Sequence, residues 1–221
     1  EELAERMHLS TEDTDLARLI ALLHDIGRFE QLKRYDSFEP GTMDHAAYGV
    51  KVLFDEGMIR RFLPDDKWDS IIYTAIAHHS DYELPEISDP QTLLHAKLIR
   101  DEDKLDNCRV KLVDSTSTFI NVSEEELGTQ NITQKVYETV FKNKCILSAD
   151  RVTQMDYWVS YIVYFFDINF KESFDIIAEN DYLNRIIDRI PYSNPVTKEQ
   201  MENIRVYMQN FINSHTNSQS F

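Results

Sequence analysis

Glycine and proline are scarce in this chain, 5 and 6 in 221 residues, and strand-like alternation of apolar and polar residues is scarce with them. A β-sandwich or barrel needs turn residues at short intervals, so this composition argues against one. Cysteine is nearly absent: Cys108 and Cys145 lie far apart, with no metal or redox spacing, which suits free thiols in a reducing compartment. Basic charge is short as well. Lys and Arg number 23 against 39 Asp and Glu, a formal net charge of −16. Such a surface repels nucleic acid backbones and disfavours a duplex-binding role. It does not exclude a small phosphate ester held at a local cation, because a bound cation dominates its own site. No apolar run is long enough to span a bilayer; the stretch Tyr161 to Phe170 is short and is interrupted by Asp167. No signal peptide is visible, and a cytoplasmic location is expected. Internal repeats and low-complexity segments are lacking too.

What is present is helical periodicity, with an apolar fraction sufficient for a real core. Leu16, Leu19, Ile20 and Leu23 recur at helical spacing, with Ser10 or Thr11 as the cap. Residues 29–43 read as a connection, anchored by Phe29 and Leu32 and turning at Pro40-Gly41. Asp44 caps a helix that runs to Glu56, where Gly57 closes it. Trp68, Ile71, Ile72, Ala75, Ile76 and His79 trace one face of a helix that starts at Pro64-Asp65-Asp66. Asp89-Pro90 opens a long helix that is apolar on two faces and therefore central. Residues 114–124 lose periodicity and read as a loop. Helices are expected around 132–143, 149–166, 171–179, 181–189 and 197–213, with capping boxes at Ser123–Glu126 and Thr197–Gln200. The aromatic stretch Tyr157, Trp158, Tyr161, Tyr164, Phe165 and Phe166 reads as core packing rather than a base-stacking platform. The tail from His215 to Phe221 is polar and expected to fray. The fold class is all-α.

Chemistry concentrates in the first half. Leu22-Leu23-His24-Asp25-Ile26-Gly27-Arg28 ends an apolar helix and presents an imidazole beside a carboxylate. Gly27 is expected to let the chain leave in a conformation that a Cβ would resist. Further ligand-type residues follow: His45 at a helix start, the pair His78-His79 at a helix end, and carboxylates in Arg100-Asp101-Glu102-Asp103-Lys104. A carboxylate on a buried face is costly unless paired or bound to metal. Periodicity leaves Asp101 and Asp103 equally open. His95 reads as structural and His8 as exposed.

The stretches LLHDIGRFEQ, MDHAAYG, AIAHHS and LIRDEDKLDN, in that order, resemble the HD-domain superfamily of metal-dependent phosphohydrolases. The resemblance implies a helical bundle over residues 1–115 with a helical C-terminal part, 116–221, packed on it. It implies a metal site of His24, Asp25, His45, His78, His79 and Asp103, the family spacing selecting Asp103 over Asp101. Asp25 would bridge two ions, with His24 and Asp103 on one and His45, His78 and His79 on the other. Imidazole-rich sites favour Mn, Fe, Co, Ni or Zn, so one or two divalent transition metal ions are expected. Arg28 stands where relatives often carry a basic residue near the substrate phosphate; Asp44 and Lys104 are supporting candidates. The implied activity is hydrolysis of a nucleotide or another small phosphate ester, with no duplex nucleic acid and no membrane as partner. A homo-oligomer is compatible with these features. A di-iron oxygenase and a non-catalytic ligand-binding domain are the alternatives. The cyclic-dinucleotide branch is disfavoured, because residues 80–90 lack its Gly-Tyr-Pro signature. The family pattern begins with another His on the preceding helix. Glu1 to Met7 reads as part of that helix with no cap before it. The first histidine is therefore expected upstream of this sequence, and the His24–Asp103 position is expected to hold its ion weakly.

Overall fold

Ser10 caps the helix that carries the His-Asp pair, its Oγ accepting from the Asp13 N–H at 3.1 Å. The computed structural model describes residues 1–38 and 41–216. It divides into two compact units, Glu1–Asp103 and Lys104–Phe221, which meet inside one long helix. Among the described residues every regular element is helical, and none is long and apolar enough to cross a membrane.

The first unit holds α1 (Glu2–Arg6), α2 (Thr11–Leu23), α3 (Arg28–Tyr35), α4 (His45–Val50), α5 (Asp69–Ala77) and the start of α6 (Pro90–Val113). Leu16, Ile20 and Leu23 of α2 pack with Val50, Leu53, Ile71, Ile72, Ala75, Ile76 and Ile99 in one core. Helical spacing puts these residues on facing stripes, and each removes a side chain worth about 1.5–3 kcal/mol from water. Asp44 caps α4 by accepting from the Ala47 N–H at 2.9 Å. The helix then widens into a π turn over Lys51–Asp55 and ends at Gly57, whose φ of +74° is left-handed. Asp89 caps α6 through the Thr92 N–H at 2.8 Å, with Pro90 in the first helical position.

Four expectations for this unit need correction: residues 28–35 form α3 rather than a connection, α5 starts at Asp69 rather than at Pro64, and the readings of two sites after α2 change. Phe29 and Leu32 do not anchor the connection after α2; they are 79% and 43% exposed. The inward residue of α3 is Gln31, 1% exposed, whose amide donates to Thr42 Oγ1 at 2.8 Å. The helix is placed by that polar contact and by the close approach of Gly27 described below. Gly27 itself has φ −67° and ψ −20°, ordinary helical values, so conformational freedom is not its role. The turn expected at Pro40-Gly41 lies partly outside the described residues.

His95 is buried as a structural residue. Its Nε2 lies 3.2 Å from Asp13 Oδ1, which also accepts from Gln91 Nε2 at 2.8 Å. This cluster ties α6 to the first turn of α2. Burial pushes the His95 imidazole below its ordinary range, only partly offset by Asp13. The unfolded chain therefore takes up this proton first as pH falls, so stability should drop below about pH 6.5 toward the folded value. The His95→Gln variant should flatten part of that drop in urea midpoints measured between pH 7.5 and 5.5. An unchanged pH slope would sink this assignment.

The second unit contains the remainder of α6 and α7 (Thr116–Ile120), α8 (Glu124–Leu127), α9 (Gln134–Val140), α10 (Gln154–Val163), α11 (Lys171–Glu179), α12 (Tyr182–Asp188) and α13 (Pro195–Thr216). Residues 116–120, expected as loop, form a helical turn because buried Thr116 donates to Val122 O at 2.8 Å. Helix α10 starts at a capping box of Thr153 and Asp156 rather than at 149. Asp156 is fully buried, and the N–H groups of Thr133, Val152 and Thr153 satisfy its carboxylate. Ser123 caps α8 as expected, accepting from the Glu126 N–H. The cap of α13 is Asn194, not Thr197; Thr197 is buried and donates to Gln130 O at 2.7 Å. Trp158 and Phe165 are buried and the other aromatics of that stretch half-buried, as core packing requires. The tail at 217–221 lies outside the described residues, while His215 and Thr216 still belong to α13.

Candidate metal centre

Helix α2 ends with His24 still in helical conformation, its N–H donating to Ile20 O at 2.8 Å. A tight turn follows, in which the Arg28 N–H donates to Asp25 O, and α3 begins. A Cβ on Gly27 would stand 2.0 Å from His45 O and 2.9 Å from Gly49 N. Backbone thus meets backbone, and only a residue without a side chain lets α4 come this close. That approach sets His45 against Asp25: Nε2 lies 3.2 Å from Asp25 Oδ1. From the end of α5, His79 Nε2 lies 3.0 Å from His45 Nε2 and 3.6 Å from the same Asp25 oxygen. On the other side, His24 Nε2 faces Asp25 Oδ2 at 3.6 Å and Asp103 Oδ1 of α6 at 3.8 Å.

Five of the six residues singled out as ligands therefore gather in one cluster, with His24, His45 and His79 facing Asp25 and Asp103 facing His24. The sixth, His78, turns its Nδ1 to Asp81 Oδ2 at 2.6 Å and is not in that cluster. His8 is exposed, as expected. Lys104 Nζ is engaged by Asp167 at 2.7 Å. Arg28 stays at the centre: Nε lies 3.3 Å from Asp25 Oδ1, and Nη1 donates to Gln31 Oε1 at 3.0 Å. Gln31 went unnoticed in the sequence because a single polar residue amid exposed apolar neighbours carries no pattern.

The two inner histidines have fixed tautomers. A carbonyl can only accept, so His24 Nδ1 donates to Ala21 O and His79 Nδ1 donates to Ile76 O, each at 2.8 Å. In its neutral form each ring then presents an Nε2 lone pair to the centre, the orientation metal ligands adopt. His24 Nε2 is buried with no hydrogen-bond partner. Such an orphan is costly unless something at the centre engages it. Ligand bonds of about 2.0–2.2 Å to one ion put neighbouring donor atoms roughly 3 Å or a little more apart. The spacings here, 3.0 to 3.8 Å, suit donors gathered around cations better than direct hydrogen bonds. His24, Asp25 and His79 offer ligand atoms that all lie within 4.8 Å of one another and could hold an ion.

The electrostatics agree. Burial opposes the charge on Asp25, yet His45 and His79, with His24 and Arg28, hold its pKa far below the ordinary carboxylate range. Asp103 is lowered too, its burial outweighed by His24. Burial pulls His24 down, but Asp103 and Asp25 raise it above its ordinary value, whereas burial dominates at His45 and lowers it. This is a centre of anionic carboxylates and inward lone pairs that attracts a proton or a cation.

The all-helical architecture agrees with a family-level comparison. A family description reading HD domain matches residues 1–108, so the first part of the chain is similar to that family. No curated protein and no solved structure matches the chain.

Proposed function

We propose that this protein hydrolyses a small phosphate ester, a nucleotide among the candidates, using one or two divalent ions of Mn, Fe, Co, Ni or Zn. The observation that carries the reading is the convergence of His24, His45 and His79 on Asp25, with Asp103 against His24. His24, Asp25 and Asp103 would hold one ion, and His45 and His79, with Asp25 shared, a second. Bound divalent metal supplies Lewis-acid polarisation of a phosphoryl oxygen and an activated water. The chain supplies orientation. Asp25 is held by Arg28, and Arg28 by the buried Gln31–Thr42 pair, so the guanidinium is fixed before substrate arrives. Its Nη2 has no partner among the described residues and can donate to a phosphoryl oxygen. Arg28 therefore binds substrate and sets the carboxylate.

Metal-stripped protein, reloaded with each of the five metals, should release phosphate from a panel of nucleotides and sugar phosphates. Arg28→Ala should lower kcat/KM by roughly 10–100-fold, the worth of one or two hydrogen bonds to a charged group. No phosphate release with any metal would refute the reading; substrate-dependent oxygen uptake in its place would favour the oxygenase.

A further inference from the structure

We infer that Arg100 is the positioning residue for His79, and that through it α6 sets the spacing between the two halves of the metal centre. The inference rests on the metal-centre reading above. Arg100 is 2% exposed. Its Nη1 donates to three backbone carbonyls just beyond the end of α5: His78 O at 2.9 Å, Asp81 O at 2.7 Å and His79 O at 3.4 Å.

The end of a helix is where backbone acceptors run out of partners and where partial negative charge collects. Helix α5 ends at Ala77, and the chain must carry His79 inward before it turns to solvent at Ser80 and Asp81. Within that turn the backbone offers itself little, a single long contact from the Asp81 N–H to His78 O at 3.4 Å. A guanidinium is always charged, presents several donors in a fixed plane and loses less on burial than an ammonium, so it suits this place.

The consequence reaches the imidazole. His79 keeps its Nε2 lone pair inward only while its Nδ1–H reaches Ile76 O, three residues back. That bond needs residues 76–79 to hold one helical turn, and Arg100 clamps the open side of that turn. One turn further along α6, on the same face, Asp103 extends to His24. A single rigid helix thus delivers a ligand to one half of the centre and fixes the carrier of a ligand in the other. In the sequence, the stretch Arg100 to Asp103 drew attention only for its carboxylates.

The test uses the full chain with Arg100→Gln and Arg100→Lys. In metal-free protein, nitrogen NMR of the imidazoles should show His79 losing its single Nδ1–H tautomer in Arg100→Gln, while His24 keeps its own. In metal titrations of the folded variant, affinity at the position containing His79 should fall roughly 10–100-fold, the usual effect of removing a group that orients a ligand. Arg100→Lys, which cannot reach all three carbonyls, should fall in between. A folded Arg100→Gln protein with the wild-type His79 tautomer and wild-type metal affinity overturns the inference. If that variant does not fold, Arg100→Lys decides it by the same two readouts: wild-type values overturn, weakened values support. Neither readout uses phosphate release, so failure of the hydrolase reading would be seen separately.

Discussion

Asp25→Ala is expected to empty the metal centre and abolish measurable turnover. Asp25 is the one residue that faces all three inner histidines, His45 and His79 through Oδ1 and His24 through Oδ2. Its loss removes a shared anionic ligand and leaves three imidazoles with nothing between them. Taking one partner from a buried charged set costs about 3–5 kcal/mol. Applied to metal affinity, that is roughly 10²–10⁴-fold. Asp25→Asn keeps the shape without the charge and should lose nearly as much. Metal content by elemental analysis after desalting, read beside phosphate release, settles it. Two ions retained by Asp25→Ala would mean the ligand scheme is wrong. The variant should also change acid stability. Because Asp25 titrates lower folded than unfolded, its stabilisation is present above about pH 4 and is lost as pH falls further. Metal-free Asp25→Ala should therefore show a shallower loss of stability in acid than the wild type.

The second large effect is expected from a single methyl group. In Gly27→Ala the new Cβ would lie 2.0 Å from His45 O, and both are fixed to main chain. No side chain can rotate away, so the turn after α2 and the start of α4 must separate. Overpacking of this kind costs about 1–3 kcal/mol, and backbone against backbone belongs at the upper end. Separation also withdraws His45 from Asp25, a contact now at 3.2 Å. Urea midpoints should fall together with metal affinity. Gly57→Ala offers the comparison: its Cβ would meet nothing within 4 Å, and its left-handed φ alone makes the substitution unfavourable. It should destabilise without weakening the metal. Equal metal loss in both variants would show that Gly27 has no specific place at the centre.

Much of this was legible in the sequence, and the parts that were not share a physical cause. Helices, most caps and the core stripe from Trp68 to His79 follow from local periodicity, which the tertiary fold respects. His24, Asp25, His45 and His79 stood out as ligand-type residues at helix ends and Asp103 as one within the long helix, and the structure brings them together. Asp103, rather than Asp101, is the carboxylate beside His24, a distinction periodicity could not make. What stayed hidden depends on neighbours remote in the chain. Gly27 looked like a conformational device because its contact, His45 O, lies eighteen residues on. Phe29 and Leu32 looked like anchors because apolar side chains usually are, whereas Gln31 holds that helix. Both His78 and His79 were expected as ligands, although only His79 lies on the apolar face; His79 is buried, whereas His78 turns to Asp81.

The inward lone pairs of His24 and His79 also tie folding to the chemical potential of the ion. The unfolded chain spreads His24, Asp25, His45, His79 and Asp103 over 80 residues and cannot chelate with them together. An ion that binds only the folded state stabilises it by mass action, about 2.7 kcal/mol when its free concentration is a hundred times the dissociation constant. For a domain whose whole margin is of the order of 5–15 kcal/mol, that is a sizeable share. The melting temperature of the first unit is then a property of the solution as much as of the sequence. It is expected to rise with free metal and fall with chelator, while the second unit has no such centre among its described residues.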